Sequence, residues 1–168
     1  NYHIEHLSSF TVVGKMKELL LEDELFKNTG KQWEQFFRDQ ALRTFAESDA
    51  IRKNFFGLKR EPYFAIANPA PAKSGYLNYF TGFVLNQDIS TEYVTLEIPD
   101  QTYAVFVSDS YDYHKTENVS NAYYQLQQQI FNTWLPQTHY QKCDGPELET
   151  YVSLEGQACL EIWLPIKK

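Results

Sequence analysis

The sequence predicts an α+β fold: two pseudo-symmetric βαββ modules forming an antiparallel sheet, with two helices and a central ligand cleft. Three observations predict it. The order strand, helix, strand, strand is read once over about residues 1–88 and again over about 92–168. Each half holds one segment with apolar residues at three- and four-residue steps. The chain closes on two apolar runs around the turn Glu155-Gly156, the pattern of a hairpin.

The elements follow in order. From Tyr2 to Leu20, "SSFTVVGKMKELL" is rich in β-branched residues and predicts extended chain, with Gly14 as a bulge. From about Lys31 to Glu47, Trp33, Phe36, Phe37, Ala41, Leu42 and Phe45 form an apolar stripe with Glu34, Arg38 and Arg43 between them, which predicts an amphipathic helix. "PYFAIANP" and "GYLNYFTGFVL" read as strands separated by a Pro/Lys/Ser/Gly turn. In the second half, "EYVTLEIPDQTYAVFVSDS" reads as a strand pair or a bent strand. A helix from about Val119 to Trp134 follows, with Asn118 or Ser120 as N-cap, the stripe Val119, Ala122, Tyr123, Leu126, Ile130 and Trp134, and Pro136 beyond its end. "ELETYVS" and "ACLEIWLPIKK" make the closing hairpin.

One helix per module cannot cover a sheet alone, so the modules are expected to pack side by side as a single domain over residues 1–168 with a groove between them. A chain of this length supports one core, or two small modules sharing one. Fifteen scattered basic residues against 22 acidic ones, net charge −7, argue against direct nucleic-acid binding and against an anionic membrane surface. No apolar run of membrane-spanning length and no export signal appears, and two cysteines make no disulfide framework, so a cytoplasmic setting is expected.

No cofactor or metal motif is present. His3 and His6 would point to opposite faces of a strand, and no Cys/His cluster, phosphate loop or nucleophile elbow occurs. Asp109, Asp112 and His114 are read as a polar loop before a helix. Twelve Tyr and twelve Phe suit a pocket built from rings.

The sharpest candidate is Glu161, the single carboxylate in the apolar run Ala158 to Ile166. Strand alternation puts Cys159, Glu161 and Trp163 on one face and Leu160, Ile162 and Leu164 on the other. An acid so placed is either matched by an internal cation or kept for a ligand, because burying it unpaired is costly. Trp163 shares its face and can stack on a ligand or pack in the core. Tyr79 and Tyr103 lie on strands expected to flank the cleft, and Trp134 ends the second helical stripe.

"YAVF" after "EIP", "WLP" ending the second helix, Tyr140, "PELETY", "EIWLPIK" and the earlier "YFTG" resemble the GyrI-like, or bacterial transcription-activator effector-binding, domain family. The resemblance implies a pseudo-twofold pair of βαββ modules whose cleft, in multidrug-responsive members, holds lipophilic cations among aromatic rings and a buried acid. It puts the family's last-strand acid on Glu161, its helix-terminal Trp on Trp134 and its Glu-x-Tyr on Glu149 and Tyr151, which are read as structural, the hydroxyl orienting a hairpin. "QTHY" stands where the family has "SGY".

The function expected is therefore a stand-alone, non-enzymatic module binding lipophilic cationic drug-like compounds through Glu161, Trp163, Tyr79, Tyr103 and Trp134, with a separate DNA-binding or protein partner possible. The alternatives are a GyrI-like hydrolase of strained electrophiles, with Glu161 and a nearby Tyr activating water, and a gyrase-inhibitor-like protein–protein regulator.

Overall fold

A computed structural model of the chain describes residues 2–47, 55–56, 60–86 and 91–168. Its elements are β1 (Tyr2–Leu7), β2 (Phe10–Leu20), α1 (Leu25–Arg38), α2 (Gln40–Ala46), β3 (Phe64–Ala67), β4 (Tyr76–Val84), β5 (Val94–Ile98), β6 (Gln101–Val107), β7 (Tyr111–Asp112), α3 (Thr116–Gln128), β8 (Gln141–Lys142), β9 (Glu147–Leu154) and β10 (Gln157–Lys167). After Gln128, α3 widens into a π-helical stretch, Gln129–Trp134, and ends in the short turn Leu135–Gln137.

The sheet runs β1-β6-β10-β9-β3-β4-β2-β5, every pairing antiparallel, with β7 and β8 added on β10. Its centre is the β3–β9 pair, and outward from there each half shows the same pattern of a hairpin followed by the strand that precedes its helix. The first strand of each half crosses over: β1 pairs with β6 and β5 pairs with β2. Only Ser8 and Ser9 separate β1 from β2, although these strands lie near opposite ends of the sheet. So short a link forces the sheet to curl.

Inside the curl, Phe10, Val12, Phe64, Ile66, Phe80, Ile98, Tyr103, Val105, Leu148 and Trp163 form one buried cluster with Phe56. The outer face carries the helices. Phe36, Leu42 and Ala46 of α1 and α2 pack on Val13, Phe83 and Leu85. Ala122, Leu126 and Ile130 pack on Ala104, Phe106, Leu160, Ile162, Leu164 and Ile166. Each large side chain so withdrawn from water contributes about 1.5–3 kcal/mol, which the helical propensities of these segments do not approach.

Several boundaries differ from the sequence reading, each for a physical reason. The stripe of α1 begins earlier, because Leu25, Phe26 and Thr29 continue the spacing of Trp33 back across Gly30, a mid-helix glycine with open space around it. Asp39 ends α1 and caps α2, its side chain accepting from Leu42 N at 2.9 Å and pairing with Lys15 at 2.8 Å. The Lys15 ammonium holds this carboxyl below its usual range. The second helix starts at Thr116, and Pro136 falls inside its last turn, where a proline near the start of a short helical segment loses no needed hydrogen bond. Gly14 makes no bulge: it faces Gly82 in unbroken register, and a Cβ there would stand 2.1 Å from the Thr81 carbonyl oxygen.

Candidate functional site

Strand β9 reads Glu147, Leu148, Glu149, Thr150, Tyr151. Alternation sends Leu148 and Thr150 into the curl, and Glu147, Glu149 and Tyr151 to the helix face. Glu149 lies opposite Ala65 on β3 and opposite Ile162 on β10, near the middle of the sheet. Ala65 and Ala67 are small, and Tyr79 from β4 packs beside Ala65 and reaches across to the carboxylate.

Two hydroxyls converge on one oxygen. Tyr151 donates to Glu149 Oε2 at 3.1 Å and Tyr79 at 3.4 Å. The indole Nε1–H of Trp33, on α1, donates to the Tyr79 hydroxyl at 3.0 Å, leaving that group's proton for Glu149. Trp33 also meets Tyr151 edge-on at 5.7 Å and Tyr63 at 5.7 Å. From the other side, Tyr123 of α3 packs against Phe26 of α1 at 5.4 Å, so rings bridge the two helices above the acid.

Among the described residues, no Lys, Arg or His forms an ion pair with Glu149, which is only 9% exposed. Burial, reinforced by the neighbouring Glu147 carboxylate and opposed by the two tyrosine hydroxyls, pushes its pKa up to about 7. Burial also raises Glu147, with Lys142 and Gln127 acting the other way. Tyr79 and Tyr151 are driven well above the usual phenol range by burial and by the Glu149 charge, so both hydroxyls keep their protons and remain donors. The arrangement is a desolvated carboxylate with a pKa near neutrality, hydrogen-bonded by two tyrosines and surrounded by aromatic side chains. A depression of about 500 Å³ lies along α1 and α2, lined by Phe36, Phe37, Arg43, Pro62, Tyr63 and Phe83, and its Tyr63 meets the rings of Trp33 and Tyr151 at 5.7 and 6.2 Å. Among the described residues no three His, Cys, Asp or Glu side chains gather as metal ligands.

Of the sequence-predicted residues, Tyr79 alone stands at Glu149. Glu161, Trp163 and Tyr103 lie together on the opposite, inner face. There Glu161 is matched by an internal cation: Arg60 Nε and Nη2 meet its two oxygens at 2.5 and 2.9 Å. Thr150 donates to it at 2.7 Å, and Trp163 Nε1 donates to Thr150 at 2.9 Å. The Arg60 guanidinium also lies 5.5 Å from the Trp163 ring centroid. Tyr103 packs 5.9 Å from Trp163, and its buried hydroxyl has no partner among the described residues. Trp134 sits elsewhere, near the β1 edge, between Tyr2 and Phe106 at ring distances of 5.0 and 4.8 Å. The sequence reading took Glu149 and Tyr151 as structural and did not single out Trp33 or Tyr123 as contacts. The available signal was the alternation Glu-x-Glu-x-Tyr over 147–151, which puts two acids and a phenol on one strand face.

The family model described as Cass2, integron-associated effector binding protein, matches residues 3–166. No curated protein matches the chain by sequence. Three solved structures share the fold at low identity. SAV2435 bound to tetraphenylphosphonium is 17% identical with a TM-score of 0.73, covering 99% of this chain and 94% of that one. A putative bacterial transcription regulation protein from Staphylococcus aureus MU50 is 16% identical with a TM-score of 0.72, covering 100% and 99%. An integron cassette protein from the mobile metagenome of Vibrio cholerae is 15% identical with a TM-score of 0.62, covering 99% and 95%.

Proposed function

The chain belongs to the Cass2 family of integron-associated effector binding proteins, within the GyrI-like effector-binding domains, and from that premise we propose that it binds lipophilic cationic small molecules between α1 and α3, with the charge held at Glu149. The observation that carries this reading is a nine-tenths-buried carboxylate with four rings around it, Trp33, Tyr79, Tyr123 and Tyr151, and no described cation beside it. Leaving such an acid ionised and unmatched costs free energy that an arriving cation recovers, while ring faces add cation–π attraction and exclude water. A neutral ligand recovers only the apolar part.

The rings themselves occupy the space over Glu149, so an aromatic cation enters by exchanging ring–ring contacts for ring–ligand contacts, with the depression at Tyr63 as the way in. That a structural neighbour is described as bound to tetraphenylphosphonium supports the ligand class. The test is calorimetric titration of the wild type and Glu149→Gln with tetraphenylphosphonium and with tetraphenylborate, an anion of the same shape. The phosphonium is expected to bind and the borate not, and the substitution to weaken phosphonium binding by roughly tenfold to a hundredfold. Equal binding of both ions, or no loss in Glu149→Gln, would overturn the proposal.

A further inference from the structure

Glu147 has one side-chain hydrogen bond among the described residues, a long one from Gln127 on α3. It stands two residues before Glu149 on the same face of β9, opposite Ala67 as Glu149 is opposite Ala65. Two residues along a strand set the Cα atoms of the two acids about 7 Å apart. Beside them on β3 run only the two alanine methyls, and on the other side stands α3, whose Gln127 reaches both the Tyr123 hydroxyl at 2.9 Å and Glu147 Oε1 at 3.4 Å. The ring wall over Glu149 is therefore tied by one amide to the second acid. Among the described residues Glu147 forms no ion pair. Lys142 on β8 offsets part of its charge without closing a bridge, its own ammonium donating to the Cys143 carbonyl at 3.4 Å.

We propose that Glu147 is a specificity residue: with Glu149 it makes a two-carboxylate floor that favours elongated dications, their positive centres spaced as the strand spaces the acids, over monocations of equal width. The inference rests on the reading of the cleft as a cation site. Glu149 sits deepest, under Trp33, Tyr79 and Tyr151, and takes the charge that carries the apolar group. Glu147, half-buried at the beginning of β9, takes the second charge. Two carboxylates held together, neither in an ion pair among the described residues, raise each other's cost of ionisation, and a dication relieves both at once where a monocation relieves one.

The experiment compares benzyltrimethylammonium with para-xylylene bis(trimethylammonium), whose two ammonium centres are separated by about the strand's two-residue span. Affinities are measured by calorimetry for wild type, Glu147→Gln, Glu147→Ala and Glu149→Gln, each checked for cooperative thermal unfolding. In the wild type the dication is expected to bind roughly tenfold tighter than the monocation, well beyond the statistical advantage of two equivalent ends. Both substitutions at 147 are expected to erase that advantage, lowering dication affinity by far more than they change monocation affinity, whereas Glu149→Gln weakens both ligands. If the two ligands bind the wild type equally, or if the changes at 147 weaken both alike, the role of Glu147 is overturned while the cation site stands. If Glu149→Gln leaves both ligands unaffected, or neither binds, the cation site itself falls, and the inference with it.

Discussion

Glu149 and Glu161 occupy adjacent strands and face opposite sides of one sheet, Glu161 pairing in register with Thr150, the residue next to Glu149. One carboxylate is held by Arg60 inside the curl, and the other stands among rings on the helix face with no described cation. Both are buried glutamates on neighbouring strands. What separates them is which part of the fold passes over each.

The two acids should therefore respond to neutralisation in opposite ways. Glu161→Gln leaves the Arg60 guanidinium facing an amide in a partly buried site, and is expected to lower stability by about 3 kcal/mol, the lower end for a broken buried pair because Arg60 keeps some contact with water. Cation affinity of the folded protein should not change. Glu149→Gln removes an unmatched charge instead, and is expected to weaken cation binding without lowering the melting temperature at pH 8. Thermal melts and titrations on both variants check this; a loss of cation affinity in folded Glu161→Gln would move the site to the inner face.

Much of this architecture is legible in the chain. The stripes on α1 and α3 and the alternation over Ala158 to Ile166 placed the helices and the faces of β10, because periodicity is a local property. Which acid is matched is not local. Arg60 lies 101 residues before Glu161, and an isolated β-bridge to Val152 on β9, the strand beside β10, brings it there. The exchange of β1 and β5 between the halves is equally hidden, since pairing partners of strands are set by topology rather than by spacing. Trp33 and Tyr123 read as ordinary stripe residues because helix faces that line a cleft and faces that line a core have the same period.

Gly14→Ala tests the central packing of the first half. The added methyl group would meet the Thr81 carbonyl oxygen and the Gly82 Cα, both backbone atoms that cannot turn aside. We expect a loss of several kcal/mol, above the usual range for a single substitution, in denaturant unfolding. Gly30→Ala, in open space on α1, should raise stability by up to about 1 kcal/mol. Equal effects at the two positions would contradict the close approach of β2 and β4.

Tyr79→Phe and Tyr151→Phe remove donors that hold the Glu149 pKa down. Each ring remains, so packing changes little, but the carboxylate should ionise at higher pH than in the wild type. The midpoint of the affinity-versus-pH curve for a monocation should shift upward in both variants, with weaker binding at pH 7 and partial recovery at pH 9. Affinity lowered equally at all pH values would show that the hydroxyls touch the ligand rather than tune the acid.

The ligand-free protein should also lose stability as pH rises through neutrality, and the sign follows from Glu149. Its folded-state pKa of about 7 stands above the ordinary value of 4.5. Between these values the folded state binds more protons than the unfolded state, so raising the pH favours unfolding. Below about pH 4.5 both states are protonated and the group contributes nothing to the slope. Relative to Glu149→Gln, which has no proton to lose, the wild type is expected to lose up to about 3 kcal/mol between pH 4 and pH 8. A saturating cation should reverse this trend, because it binds the ionised form and releases a proton when it arrives. Denaturant melts of the two proteins across this range, with and without ligand, measure the difference directly. A constant offset between them at every pH would mean that Glu149 ionises in the folded protein as an exposed carboxylate does, and that the burial of this acid costs the protein nothing.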